Sequence, residues 1–464
     1  MRSPVPNNYN KSVSEDTGEA KMRAAFHNLG CKVNAYETEK MIQSFREAGY
    51  DIGSFEEIND VYIVNTCTVT NIADRKSRQM LHRAKALNPE AVVVACGCFV
   101  ETDRKGAQKD EAIDILAGNR EKANLVSIVE DYLKAPGCGP KATESGILSS
   151  LHDHTRAYIK IQDGCEQYCS YCIIPFARGR LESRRCEDII RELTALSQSG
   201  VKEAVLTGIH LSSYGIDLKE GSKTSYNELA RKGEYVNREL AEVIERASEV
   251  EGIERIRLGS LEPRIITDEL LSVIRDNKKV CPHFHLSLQS GSDSVLKRMN
   301  RHYDTAEFYE KMQLIRKYFE HPAITTDVIA GFPGETEAEF GETVSFLDKA
   351  DFYETHIFRF SGRRGTVAYT LPGQLTSAQK AERSAVLSEL DKRKRSAFRS
   401  WYKGKEEGVL FEEPQVVNGV KGFVGFTKEY VKVFLPANED LTNRLINVTI
   451  TGDCIGDELV YGKI

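Results

Sequence analysis

The chain has 464 residues, 41% of them hydrophobic, and a formal net charge of −6. That length allows several buried cores, so two to four domains are expected, and the bulk charge does not announce a nucleic-acid binder; any such surface is confined to local patches. Eleven cysteines are too sparse, and odd in number, for a disulfide scaffold, which turns attention to metal ligation or catalysis.

Residues 1–21 are polar almost throughout and lack the apolar core of a secretion signal, so a disordered tail is expected there. No run reaches the roughly 18 apolar residues of a membrane span; the longest lies near Ala91 to Val100. A cytoplasmic, monomeric protein with no membrane partner is expected.

Over 22–134, short apolar runs alternate with helical patterns: RAAFHNLG, Ala35 to Ala48, VYIVNTC, Ile72 to Leu87 and AVVVAC. This predicts a parallel, flavodoxin-like α/β domain. The Gly/Pro/Ser-rich stretch 135–150 reads as a linker. Over 151–375, strands near AYIKI, EAVLTG, RIRLG, FHLSL, ITTDVIAG and THIFRF, with helical segments between them, predict a partial (β/α)6 barrel. The polar stretch Asp217 to Asn237 interrupts its second unit as a surface insertion. Over 376–403 a helix with a Lys392-Arg393-Lys394-Arg395 cluster bridges to residues 404–464. There GVLFEE, GFVGFT, YVKVFL, INVTIT and ELVYGK predict a small all-β, OB-like barrel.

The strongest chemical signal is Cys165, Cys169 and Cys172, a C-x3-C-x2-C triad just after the first barrel strand. Three thiolates on one short loop can hold three irons of a four-iron cluster, and no fourth cysteine is spaced to close it. The open iron can chelate the amino and carboxylate groups of S-adenosylmethionine, which one electron then cleaves to a 5′-deoxyadenosyl radical. A zinc site or three unligated cysteines is the alternative, but a structural zinc wants four close ligands.

This triad, with Tyr171 before its last cysteine, resembles the signature of the radical S-adenosylmethionine superfamily. The resemblance implies a set of contacts to S-adenosylmethionine. Tyr171 would meet the adenine. Thr207 and Gly208 stand where a Gly-rich motif binds the methionine amine, though the usual acidic residue is missing. Asp327 to Thr336, including Ile329, resembles the strand and turn lining the adenine side. His285, Ser287 and Gln289 share one strand face, inward-pointing in a barrel with a polar centre; for a lone His285, an ordinary hydrogen-bonded strand end is the plainer reading. Glu262 joins Tyr171, Thr207, Gly208, Ser287, Gln289 and Ile329 as an expected contact.

Cys31, Cys67 and Cys98 each end a predicted strand of the first domain, on the edge where open parallel sheets gather ligands. Each alone reads as a small buried hydrophobe; together, after successive strands, they read as ligands of one cluster. Cys96 is expected to stay in the core.

With both cysteine sets in place, the chain resembles the methylthiotransferase family from about Met22 to Ile464. The family's order is an N-terminal domain with an auxiliary cluster, a radical barrel and a C-terminal TRAM domain. The resemblance implies two 4Fe-4S clusters and two S-adenosylmethionine molecules. One methylates sulfur carried on the auxiliary cluster, and the other is the radical source. Leu29-Gly30-Cys31-Lys32-Val33-Asn34 and Ser260-Leu261-Glu262-Pro263 resemble the branch acting on N6-threonylcarbamoyladenosine beside the anticodon, at position 37. The implied partners are the tRNA anticodon stem-loop and a reductant.

Expected tRNA contacts are Arg178, Arg180, Arg184 and Arg185, with Arg363, Arg364 and the cluster Lys392, Arg393, Lys394 and Arg395. Against this, residues 404–464 carry more acids than bases. That balance fits a basic protein partner, as in the branch acting on a ribosomal protein. Isopentenyladenosine in tRNA is another alternative, and an RNA-binding metal protein without turnover a third.

Overall fold

The structure, a computed structural model, describes residues 21–135, 155–219, 225–231, 236–455 and 458–464. Nearly all of the expected tail and linker, and parts of the 217–237 insertion, lie outside the described residues.

The first domain is a five-stranded parallel sheet of β1 (Arg23–Asn28), β2 (Asp51–Gly53), β3 (Val61–Thr66), β4 (Val92–Gly97) and β5 (Ile115–Ala117), in the order β2-β1-β3-β4-β5. This is the flavodoxin-like order. Every residue of β3 and β4 is buried, because helices cover both faces. Ile63, Val92 and Val94 pack with Met41 and Phe45, while Tyr62, Val64 and Val93 pack with Leu81 and Ala84. A strand covered on both sides reads as a continuous apolar run, which made β3 and β4 visible in the sequence. The three-residue strands β2 and β5 are too short to show a period.

The second domain places β6 (Arg156–Asp163), β8 (Glu203–Gly208) and β9 (Arg255–Leu258) side by side and parallel, with the two-residue β7 (Glu182–Ser183) antiparallel on the outer edge of β6. Isolated bridges Ile256↔Val280 and Leu261↔Leu286 connect them to β10 (His283–His285), which pairs in parallel with β11 (Ala323–Ala330) and then β12 (Glu354–Arg359). Six parallel strands thus curl into an open barrel. Alternation sets its two faces. Ile159, Ile161, Leu206, Ile256, Phe284 and Val328 pack outward against the helices, each such side chain worth about 2 kcal/mol of burial. Arg156, Lys160, Glu203, Thr207, Arg257, His285, Asp327 and His356 fall on the other face. The helix Ser377–Ser400 starts with a capping box at Thr376 and Gln379, and its Asp391 accepts from the Thr355 N–H at 2.6 Å, pinning it to β12.

The third domain is a closed barrel of β13 (Glu406–Val417), β14 (Val420–Phe426), β15 (Lys432–Pro436), β16 (Leu445–Ile455) and β17 (Leu459–Lys463), in the order β13-β14-β15-β17-β16. It seats against the N-terminal ends of the second domain's barrel strands. Arg255 donates to the carbonyls of Phe426 and Gly408, both at 2.6 Å, and Arg257 to that of Lys428 at 2.9 Å. Tyr430 accepts from Arg156 at 2.7 Å, with the guanidinium of Arg257 4.4 Å from its ring centre. At the centre lies Glu203, paired with Arg156 at 2.7 Å and Arg257 at 3.1 Å. Burial would raise its pKa, but these arginines prevail and hold it at about 2. Glu412 also pairs with Arg156, at 2.6 Å. Part of the terminal domain's acid excess is therefore consumed in this seat. Among the described residues no helix is long and apolar enough to cross a membrane.

Candidate active site

Cys31, Cys67 and Cys98 follow β1, β3 and β4, so they share the C-terminal edge of the first sheet at the point where strand order reverses. Gly30 and Gly97 have φ of 102° and 98°, a conformation that glycine adopts without strain. A Cβ on Gly30 would stand 2.8 Å from both Cβ and Sγ of Cys67, which shows how tightly the first two loops run together. Buried Asn65 and Asn34 tie them down: Asn65 donates to Asn34 O and Thr38 Oγ1, both at 2.9 Å, and Asn34 donates to Leu29 O at 2.7 Å and Thr66 O at 3.0 Å. The Cys67 thiol is pushed up to about 11, chiefly by burial, with Cys98 and Cys31 adding repulsion. Cys67 therefore lies within electrostatic reach of both Cys31 and Cys98. Cys96 lies in the core beneath the sheet edge, fully buried, with its Sγ 3.5 Å from Val64 O.

Cys165, Cys169 and Cys172 occupy the loop after β6. A Cβ on Gly164 (φ 70°) would meet Arg180 O at 1.9 Å, so only glycine lets this loop close. Cys165 N–H donates to Gly179 O at 3.2 Å, Cys172 N–H to Cys169 O at 3.0 Å, and Ser170 N–H to Met299 O at 3.0 Å. Burial pushes the Cys172 thiol up to about 12, with Cys169 adding to it, and raises Cys165 likewise. Arg301 donates to Cys169 Sγ at 3.2 Å and to Glu262 at 2.8 Å. Tyr171 packs with Val295, Met299, Phe332 and Phe360.

The donor sets fit clusters better than single ions. Among the described residues, one group of three His, Cys, Asp or Glu ligand atoms lies within 4.8 Å of one another, and it is His285, Asp327 and His356. Neither thiol trio is drawn in that close. Wider spacing suits thiolates that each take a different iron and disfavours a tetrahedral zinc.

The other expected cofactor contacts line the C-terminal mouth of the lumen, below the Cys165–Cys172 loop. Thr207 and Gly208 end β8, and Gln162 lies against Gly208. Ser287 and Gln289 follow β10. Gln289 has φ 74°, held by Gln289 N–H to Asp327 O at 2.8 Å and Ile329 N–H to Gln289 O at 2.9 Å. Such a conformation is strained for a non-glycine residue and tends to persist where a site needs it. Ile329 packs against the same apolar cluster as Tyr171. Glu262 is buried, and Arg301 and His210 outweigh that burial to hold it at about 2.

Several arginines expected on an RNA surface are instead inside the fold. Arg178 is buried because it is the centre of an ionic knot between the first two domains. It bonds Glu37 at 2.7 Å, Asp163 at 3.1 Å and Asn34, and Glu37 also takes Lys122 at 2.6 Å and Lys160 at 2.8 Å. Burial alone would lower the Arg178 pKa; Cys98, Glu37 and Asp163 more than reverse it. Arg178 is thus a charge partner of Cys98. Arg184 is half-buried, bonded to Glu192 at 2.7 Å and Tyr36 at 3.1 Å, and buried Arg363 joins Thr68, Asn71 and Asp74 across the same domain junction. Lys394 is held by Asp348 and Asp351, both at 3.1 Å, and Arg395 by Asp391 at 2.9 Å. Arg180, Arg185, Arg364, Lys392 and Arg393 are exposed.

Arg301, Glu37, Lys122, Lys160 and Lys32 escaped the sequence reading, since their roles arise from partners distant in the chain. Lys32 is exposed, yet burial lowers its pKa first of all, with Arg257 and Arg156 adding to the effect.

A parallel barrel carrying a C-x3-C-x2-C loop at its C-terminal mouth defines a radical S-adenosylmethionine enzyme, and residues 159–347 match the Radical SAM superfamily. Residues 23–118 match the family described as "Uncharacterized protein family UPF0004". The chain is 39% identical over 435 residues to the threonylcarbamoyladenosine tRNA methylthiotransferase MtaB of Bacillus subtilis (strain 168), covering 92% of this chain and 93% of that one. Against the MtaB of Aquifex aeolicus (strain VF5) the identity is 38%, over 85% of this chain and 94% of that one. It is also 34% identical to the tRNA-2-methylthio-N(6)-dimethylallyladenosine synthase of Moorella thermoacetica, over 91% and 94%. The chain belongs to the MtaB-type methylthiotransferase family of radical S-adenosylmethionine enzymes.

Proposed function

We propose that this protein adds a methylthio group to C2 of N6-threonylcarbamoyladenosine at position 37 of tRNA, with Cys165, Cys169 and Cys172 holding one 4Fe-4S cluster and Cys31, Cys67 and Cys98 a second. The observation that carries the reading is the convergence of two thiol trios, from separate domains, on one end of one barrel. Asn119 links them: its Nδ2 lies 3.7 Å from Cys98 Sγ and donates at 2.7 Å to Ala177 O, in the short helix just after Cys172.

When bound, the clusters and S-adenosylmethionine supply a hydrogen-abstracting radical on one side and the methylthio group on the other. The chain's own residues position and neutralise. Arg301 donates to Cys169 Sγ, and Arg178 is a charge partner of Cys98. The Glu37 knot fixes the first domain over the barrel mouth and so fixes the separation of the two centres. Gln162 braces the loop, donating to Gly164 O at 2.6 Å while accepting from His210 N–H at 2.7 Å. Exposed Arg180, Arg185, Lys392 and Arg393 are the proposed phosphate contacts. The enzyme would act as a cytoplasmic monomer fed by an external reductant.

The test is nucleoside mass spectrometry after incubating the reconstituted enzyme with tRNA bearing threonylcarbamoyladenosine, dimethylallyladenosine or unmodified adenosine. Methylthiolation of the first alone is expected. The relative from Moorella thermoacetica motivates dimethylallyladenosine as the second reading, and a product on that substrate alone would establish it.

A further inference from the structure

One polar group in the second domain's barrel is left unused by the chemistry above. His285, Asp327 and His356 lie on the adjacent strands β10, β11 and β12, with His285 opposite Thr325 and Asp327 opposite His356 in register. One ligand atom from each falls within 4.8 Å of the other two. The two imidazole centres are 5.5 Å apart, with the rings tilted by 31°. His285 Nδ1 lies 2.9 Å from the hydroxyl of buried Thr325, and its Nε2 lies 3.3 Å from Asp327 Oδ2.

We propose that His285, Asp327 and His356 hold one divalent transition-metal ion, a third metal centre distinct from both cysteine trios. The spacing of His285 and Asp327 is the first reason. A direct charge-assisted hydrogen bond between imidazole and carboxylate closes to about 2.7–2.9 Å. Ligands about 2.0–2.2 Å from a tetrahedral ion stand roughly 3.3–3.6 Å from one another, and Nε2 and Oδ2 are separated by such a distance. Thr325 is the second reason. A metal-bound imidazole almost always gives its other N–H to a neighbouring acceptor, which fixes the tautomer and aims the free lone pair at the ion. With Nδ1–H donated to Thr325 Oγ1, Nε2 faces a carboxylate oxygen lone pair to lone pair. A cation between the two relieves that opposition.

Charge and access agree with this assignment. Two neutral imidazoles and one carboxylate carry a single negative charge. Arg156 and Arg257, on the same barrel face, are already bonded to Glu203, and Arg156 also to Glu412. The side chains of His285 and Asp327 keep 13% and 27% exposure and His356 is exposed, so an ion has a way in. Imidazole ligands select zinc and its neighbours over magnesium or calcium. Three protein ligands leave a coordination position open, as in zinc sites that accept an exchangeable oxygen ligand and unlike closed structural ones.

The test uses the full chain with both clusters reconstituted, dialysed anaerobically against zinc and then desalted, with iron and zinc counted per chain. Wild type is expected to retain one zinc ion beside about eight irons; the filled clusters keep the cysteines out of the zinc count. His285→Gln and His356→Gln should each leave the chain without zinc and with its iron unchanged. Thr325→Val keeps all three ligands and should weaken zinc binding by about 10–100-fold. Zinc K-edge absorption of the wild type needs no variant, and a shell of nitrogen and oxygen at about 2.0–2.2 Å is expected. Sulfur in that shell at about 2.3 Å, no zinc retained by wild type, or zinc intact in both histidine variants overturns the proposal. The readout is metal content and ligand shell, not turnover, so its failure leaves the function proposed above untouched.

Discussion

Arg178→Met removes the centre of the knot between the two domains that carry the cysteines. The side chain is 1% exposed and faces Glu37 and Asp163, with Lys122 and Lys160 on the far side of Glu37. Three cations face two anions, a sum of +1, which falls to zero without Arg178. Breaking a buried pair costs about 3–5 kcal/mol, and the lower end applies because Glu37 keeps both lysines. A loss of about 3 kcal/mol corresponds to roughly a hundredfold in a local opening constant. Hydrogen exchange should therefore speed up by about that factor in residues 33–38 and 176–180, with little change in the terminal barrel. The exposed Arg180→Met is the control. Unchanged protection in Arg178→Met, or an equal effect in Arg180→Met, would refute the assignment of Arg178 to the domain junction.

Glu203 titrates at about 2 in the fold against an ordinary 4.5. Its stabilisation is therefore complete above pH 4.5 and is lost as pH falls from there through 2. Small-angle scattering should show Glu203→Gln expanded at neutral pH in the way that wild type expands only on acidification. Gly30→Ala forces a left-handed residue, costing about 1–2 kcal/mol, and crowds Cys67; iron should fall from about eight to about four per chain while S-adenosylmethionine cleavage persists. Tyr430→Ala deletes the ring between Arg156 and Arg257, worth about 1–2 kcal/mol, and tryptic cleavage after exposed Lys403 should accelerate.

The elements that carry the cysteines were legible because each had a local signature. The continuous apolar runs of β3 and β4, the AYIKI strand signal of β6, and the glycines at 30, 97 and 164 all announce themselves within a few residues. Charge partners did not. Arg178 looks like an RNA contact in a basic stretch, and only the folded chain brings it to Glu37, 141 residues away. Arg255 and Arg257 gave a signal that could have been used: two arginines on one face of a barrel strand must find acceptors, and the face points into the lumen.

The arginines at the base of the radical barrel grip the terminal domain by its main chain, through the carbonyls of residues 408, 426 and 428. Peptide oxygens are the same whatever side chains surround them. The outward surface of that domain can therefore drift in composition while its mounting on the catalytic body stays unaltered.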